Sequence, residues 1–185
     1  MSTTMDKHSP ISDENLRAIT RSMTGAVIDN SAQRRYLLWR RWDWGAQNVN
    51  FVMLNPSTAD ETVDDPTIRR CCGFAKDWGY GGVVVTNLFA WRATKPADVV
   101  AACNAGIDVT GDLNDLCIPI IADACGAIVC AWGAKPWARE RAEQVVKLLR
   151  KPNRTLWCLG LTRDGSPRHP LYVTATSPLY PLYRR

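Results

Sequence analysis

GVVVTNLFAW, at residues 82–91, is an unbroken apolar run in which three consecutive valines precede Thr86 and Asn87. A strand that is buried on one face alternates apolar and polar residues, whereas a strand covered on both faces is apolar throughout. The run therefore predicts a strand of a parallel sheet that lies between two layers of helices and ends near Asn87.

Three other short apolar runs have the same character, and segments with helical spacing separate them. The predicted strands are NVNFVML at 48–54, AIVCAW at 127–132 and TLWCL at 155–159. Helical patterns occupy 66–79, 96–105, 112–125 and 136–150, while AVID and RRYLLWRRW flank Asn30-Ser31 as an N-terminal β-hairpin. We predict an α/β fold, a three-layer α/β/α arrangement around a central, mostly parallel four-stranded sheet, plus the hairpin.

The length of 185 residues is that of one domain. We expect residues 1–20 to be disordered or marginally helical and residues 21–185 to form a single α/β domain. The N-terminal segment lacks the apolar core of a secretory signal, and no apolar run is long enough to cross a bilayer. These features predict a cytoplasmic protein with reduced cysteines and no membrane partner.

The seven cysteines contain no CxxC pair, and Cys71 and Cys72 are adjacent. Zinc and iron–sulfur sites need close pairs of ligands that converge on one metal. We therefore expect no metal and no cofactor, and interpret most of the cysteines as small buried apolar residues.

Polar residues next to Pro or Gly follow the predicted strands. The exits carry Asn55-Pro56-Ser57, Asn87 and Trp132-Gly133, and Arg168-His169-Pro170 lies beyond the last strand. Because open α/β sheets bind ligands outside the carboxyl ends of their strands, the exits predict one groove. Each residue also has a purely structural interpretation, as a turn or cap residue.

Several segments resemble a small bacterial and phage family, domain of unknown function 1643. The similar blocks, spread from about residue 35 to residue 172, are MLNPSTADETVDDPTIRRC, TNLFAWRATKP, WGA and GSPRHPLY. This resemblance implies membership of the family but no activity.

The order of the blocks is also similar to that of the uracil-DNA glycosylase superfamily. Leu54-Asn55-Pro56-Ser57 resembles its first motif, whose polar residue positions the hydrolytic water, and VVVTN places Asn87 where the superfamily reads a flipped base. AIVCAWGA resembles the third strand, and His169-Pro170-Leu171 resembles the start of the His-Pro-Ser loop. The chain departs from the pattern at Ser57, at Leu171 and in the loop DETVDDPTIRR.

The resemblance implies hydrolysis of an N-glycosidic bond in DNA, with the base flipped into the strand-end pocket. Asn55 and His169 are the expected catalytic residues, His169 by stabilising the departing base. An amide can orient water but cannot deprotonate it, so Asn55 implies a slow enzyme. The expected substrate contacts are Pro56, Ser57, Asn87, Phe89, Trp132, Arg168 and Tyr172.

A net charge of +5 permits a polyanionic partner without requiring one. Arginines 34, 35, 69 and 70 are candidate phosphate contacts, and DNA or a nucleotide-like ligand is the expected partner. No obligate protein partner can be inferred. Two alternatives stay open: a non-catalytic module that binds nucleic acid or a nucleotide, and a hydrolase of small nucleosides or nucleotides.

An acidic cluster follows the first strand exit, at Asp60, Glu61, Asp64 and Asp65. Its simplest interpretation is a solvated loop followed by a helix cap at Asp65. A carboxylate for water activation, or a metal ligand, is the alternative.

Overall fold

Seven strands form one mixed sheet in the computed structural model, which describes residues 22–183. The predicted terminal segment 1–20 lies outside the described residues. The order across the sheet is β1-β2-β4-β3-β5-β6-β7. The strands are β1 (Thr24–Ile28), β2 (Arg35–Arg41), β3 (Asn48–Met53), β4 (Gly82–Asn87), β5 (Ala127–Cys130), β6 (Leu156–Cys158) and β7 (Tyr180–Pro181).

The four strands at the centre, β4-β3-β5-β6, are mutually parallel. Met53 of β3 lies opposite Asn87 of β4, and Val52 lies opposite Cys130 of β5. The last residues of three neighbouring strands therefore lie side by side, and the segments that follow them leave from the same edge of the sheet.

The α/β class is confirmed, and the four predicted strands form the parallel centre of the sheet, but the whole sheet has seven strands and is mixed. Three of the six strand pairings are antiparallel: β1 with β2, β2 with β4, and β6 with β7. The N-terminal hairpin does not stand apart from the sheet, because β2 is buried and pairs with β4. At the opposite edge, β7 pairs with β6, which would otherwise expose unpaired backbone groups.

Helices cover both faces of this sheet. On one face, Ile68 and Phe74 of α1 (Pro66–Asp77) pack against Phe51 of β3. On the other face lie α2 (Pro96–Asn104), α3 (Asn114–Ala124) and α4 (Arg139–Leu149), whose apolar residues pack around Val52. The two apolar clusters explain why the central strands read as continuous apolar runs.

The start of α1 is fixed by Asp65. Its Oδ1 accepts a hydrogen bond of 2.8 Å from the backbone amide of Ile68, and Pro66 occupies the first helical turn. The helix ends before Gly79, whose φ of +77° suits a glycine. Because α1 follows the loop that leaves β3, its first turn lies at the carboxyl edge of the sheet.

The seven cysteines carry free thiols. Among residues 22–183, no group of three or more His, Cys, Asp or Glu side chains is arranged to hold a metal ion. In the same part of the chain, every helix is too short or too polar to cross a bilayer.

Candidate active site

A cleft of about 610 Å³ lies at the carboxyl edge of the sheet. This size is within the range of small-molecule and cofactor sites. The predicted site residues that line the cleft are Arg35, Asn55, Ser57, Asn87, Trp132, Arg168, His169 and Tyr172. The structure thus brings Asn55, Asn87 and His169 together, although more than a hundred residues separate the first from the last.

Asn87 ends β4 and is almost completely buried, with 1% of its surface exposed. Its side-chain nitrogen Nδ2 has no hydrogen-bond partner within the described residues. A buried donor without a partner costs about 1–3 kcal/mol, so such groups are uncommon in folded proteins. The backbone around Asn87 is well supported, because its carbonyl accepts 3.0 Å from Nδ2 of Asn114. The free amide therefore lies on a rigid wall of the cleft.

His169 precedes a short 3-10 turn at Pro170–Tyr172. Its Nδ1 accepts a hydrogen bond of 3.3 Å from the backbone amide of Leu171. Burial lowers the pKa of His169 to about 4, with the negative charge of Asp65 opposing this shift and the positive charge of Lys135 adding to it. His169 is therefore neutral at pH 7. With Nδ1 occupied as an acceptor, the proton is on Nε2, which is a donor.

Asn55 lies just beyond β3, and its side chain is hydrogen-bonded to the backbone. Nδ2 donates to the carbonyl of Ala93 at 2.7 Å and to that of Pro56 at 2.9 Å. These bonds join the exit of β3 to the segment that follows β4. The carbonyl oxygen Oδ1 is the polar atom of this side chain that is left for a ligand or a water molecule.

The walls of the cleft are mostly apolar. Met53, Ile68 and Trp132 line it, and Gly133 turns the chain after β5 with φ of +75°. At the mouth, Tyr172 is 78% exposed, with its ring centroid 5.5 Å from that of His169. A planar apolar ligand could pack between such walls.

Two predicted substrate contacts do not line the cleft. Phe89 is a core residue whose ring stacks on Trp137 at a centroid distance of 5.4 Å. Pro56 is buried, and its carbonyl accepts from the backbone amide of Ala93 at 2.8 Å. Both residues are close in sequence to Asn55 or Asn87, but neither lines the cleft.

The four predicted phosphate contacts all donate hydrogen bonds to backbone carbonyls of the protein itself, at the surface for Arg34 and Arg69. Arg34 bonds Asp108 at 2.7 Å, Arg69 bonds Asp64 at 2.6 Å and Arg70 bonds Val173 at 2.5 Å. Arg35 is not a surface residue: it is 2% exposed, bonds the carbonyl of Ala59 at 2.5 Å and lies against the cleft. Burial lowers the pKa of Arg35 to about 10, with Asp65 opposing the shift, so it stays charged.

The sequence interpretation did not place Asp65 and Lys135 in the site, yet both line the cleft. From the sequence, Asp65 is one member of an acidic cluster and the predicted cap of a helix. The available signal was its position at the start of the helix after β3, because a helix that follows a parallel strand begins at the ligand-binding edge of the sheet.

The fold and the site define an α/β protein with a ligand cleft at the carboxyl edge of a mixed sheet. A family model described as "Protein of unknown function (DUF1643)" matches residues 35–171, most of the chain, and the protein belongs to this family. No curated protein and no solved structure matches the chain. These comparisons show no similarity to uracil-DNA glycosylases.

Proposed function

We propose that the protein hydrolyses the N-glycosidic bond of a nucleobase in DNA, with the base flipped into the strand-end cleft. One observation carries the proposal: the unpartnered, buried amide of Asn87 lines the same cleft as a neutral His169. An amide without a partner needs a ligand with a complementary edge, and the edge of a nucleobase provides donors and acceptors.

The second role belongs to His169. When the bond between base and sugar breaks, negative charge develops on the departing base. A neutral imidazole that presents Nε2–H can donate to an oxygen of that base, and its hydrogen bond strengthens as the charge grows. Removal of one such donor typically reduces a rate by about 10²–10³-fold.

The remaining lining residues fit the same reaction. Trp132 and Ile68 provide apolar surface for the faces of a planar base. Oδ1 of Asn55 can accept a hydrogen bond from the attacking water and orient it. The motif order shared with uracil-DNA glycosylases supports these roles, although Ser57 and Leu171 depart from that pattern.

The test is a panel of single- and double-stranded oligonucleotides that contain uracil, hypoxanthine or modified pyrimidines, assayed for abasic sites. Wild type should cleave at least one base, His169→Ala should reduce the rate by about 10²-fold, and Asn87→Ala should lose discrimination between bases. Asn104→Ala, at the exposed end of α2, is the control and should behave as wild type. Absence of abasic product from every oligonucleotide would refute the proposal.

A hydrolase of small nucleosides or nucleotides is the second candidate. Its support is that Arg34, Arg69 and Arg70 donate hydrogen bonds to backbone carbonyls, so their guanidinium groups are less free to turn towards a phosphate backbone. Free nucleosides or nucleotides would then be cleaved and the oligonucleotides left intact.

A binding module without catalysis is the third candidate. Its support is that Nδ2 of Asn55, in the motif expected to position water, is bonded to the backbone. Wild type would then bind an oligonucleotide or nucleotide, form no product, and lose affinity on substitution of Asn87 or His169.

A further inference from the structure

Hydrolysis of a glycosidic bond is accelerated by a group that removes a proton from the attacking water. The amide of Asn55 has no usable basicity, and the imidazole of His169 is occupied in hydrogen bonding through both nitrogens once it donates to the base. Among the described residues that line the cleft, Asp65 is the one that carries a carboxylate. The chemistry of the site therefore lacks a base unless Asp65 provides it.

We propose that the carboxylate of Asp65 is the general base that activates the hydrolytic water. This inference rests on the proposed function and assigns a catalytic residue within the same cleft. It comes from the loop DETVDDPTIRR, which lies outside the motifs shared with uracil-DNA glycosylases.

The first argument is that the two carboxylate oxygens of Asp65 have different surroundings. Oδ1 accepts 2.8 Å from the amide of Ile68 and caps α1, and Pro66 fixes the backbone that follows. No hydrogen bond or ion pair to Oδ2 is found within residues 22–183. One oxygen thus holds the carboxylate in place while the other stays available to a water molecule.

The second argument is the position of the Asp65 carboxylate relative to the groups that would bind the nucleobase. Asp65 lines the same cleft as the unpartnered amide of Asn87 and as His169. Arg35, which is buried, lines this cleft as well, and the negative charge of Asp65 opposes the lowering of the pKa of both His169 and Arg35.

The reaction balances as a simple hydrolysis. The water oxygen forms a bond to the anomeric carbon of the sugar as the bond from that carbon to the base nitrogen breaks. The electron pair of the broken bond leaves with the base, which Nε2–H of His169 stabilises and solvent then protonates. The proton of the water passes to Asp65 and from there to solvent.

Two substitutions of Asp65 remove the proposed general base and retain the helix cap, since Asn and Ser are both good N-cap residues. Asp65→Asn and Asp65→Ser should reduce kcat by about 10²–10⁴-fold, with little change in KM or in the midpoint of thermal unfolding. Sodium formate should restore at least part of the activity of Asp65→Ser, whose smaller side chain leaves room for a carboxylate. It should not restore Asp65→Asn, and Glu61→Gln, an exposed neighbour outside the cleft, should behave as wild type.

The outcomes separate this inference from the proposed function. If wild type forms abasic product and Asp65→Asn and Asp65→Ser do so at a similar rate, the inference fails and the proposed function stands. A stable but slow Asp65→Ser that formate does not rescue also overturns the role of Asp65 as a base. A wild type that cleaves no substrate overturns both.

Discussion

The side-chain nitrogen of Asn55 lies 2.7 Å from the carbonyl oxygen of Ala93, 38 residues further along the chain. This bond, with a second one to the carbonyl of Pro56, joins the exits of two adjacent parallel strands. The residue expected to act on water is thus also the link that holds one side of the cleft. Its substitution should affect stability as well as turnover.

Asn55→Asp should destabilise the protein rather than improve it. A carboxylate in this position would face the carbonyl oxygens of Ala93 and Pro56 and could donate to neither while ionised. We expect a loss of about 1–3 kcal/mol in the free energy of unfolding, measured by denaturant titration at pH 7. Asn153→Asp, the same change at an exposed turn, should leave stability nearly unchanged. An Asn55→Asp variant as stable as wild type would contradict the linking role.

Asn87 and Asn114 are both buried asparagines, but we expect their substitution to have different effects on the free energy of unfolding. Asn87→Leu removes a donor that has no partner, so the free energy of unfolding should stay the same or rise by up to about 1 kcal/mol while ligand binding is lost. Asn114→Leu removes two bonds of 3.0 Å, to the carbonyls of Asn87 and Leu88. It should cost about 1–3 kcal/mol. Equal destabilisation by the two substitutions would show that Asn87 is a structural residue.

Protonation of His169 should destabilise the folded state. Its pKa is lowered by burial from the ordinary 6.5 to about 4, so between these values the unfolded chain binds the proton more readily than the folded one. The stability that neutral His169 contributes is complete above pH 6.5 and is lost as the pH falls towards 4. Nitrogen-detected NMR of the imidazole should show the Nε2–H form at pH 7 and a midpoint near 4. His169→Gln should remove this signal and flatten the unfolding free energy across that pH range.

Arg70 and Arg69 are adjacent but should have different effects. Arg70 donates to the carbonyls of Val173 and Pro170, so it ties α1 to the loop that carries His169. Arg70→Gln should therefore reduce kcat, measured at saturating oligonucleotide. Arg69→Gln should reduce only the affinity for an oligonucleotide and make it less dependent on salt. A reduced kcat in Arg69→Gln, with the kcat of Arg70→Gln unchanged, would reverse this assignment.

The central strands and the start of α1 could be predicted because their signals are local. The runs at 48–54 and 82–91 are apolar throughout, and the structure buries both between helices. Asp65-Pro66 predicted a cap and a first turn, and the cap bond to Ile68 is present. In each case the signal depends on side chains a few residues apart.

The outer strands, and the burial of individual side chains, could not be predicted in the same way. β7 has two residues, and its pairing with β6 depends on where the whole C-terminal segment returns. Phe89 follows Asn87 by two residues, yet it packs on Trp137 in the core. Arg35 carries a charge, yet β2 takes it into the interior.

The sequence by itself determined the α/β class, the parallel centre of the sheet and the edge at which Asn55 and Asn87 emerge. These follow from the burial of continuous apolar runs and from the common direction of parallel strands. Only the tertiary structure decided that Asp65 shares a cleft with His169, that Nδ2 of Asn55 is bonded to Ala93 and that Nδ2 of Asn87 has no partner. Each of these depends on contacts between residues far apart in the chain, and the free energy of such contacts is set by the packing of the whole domain.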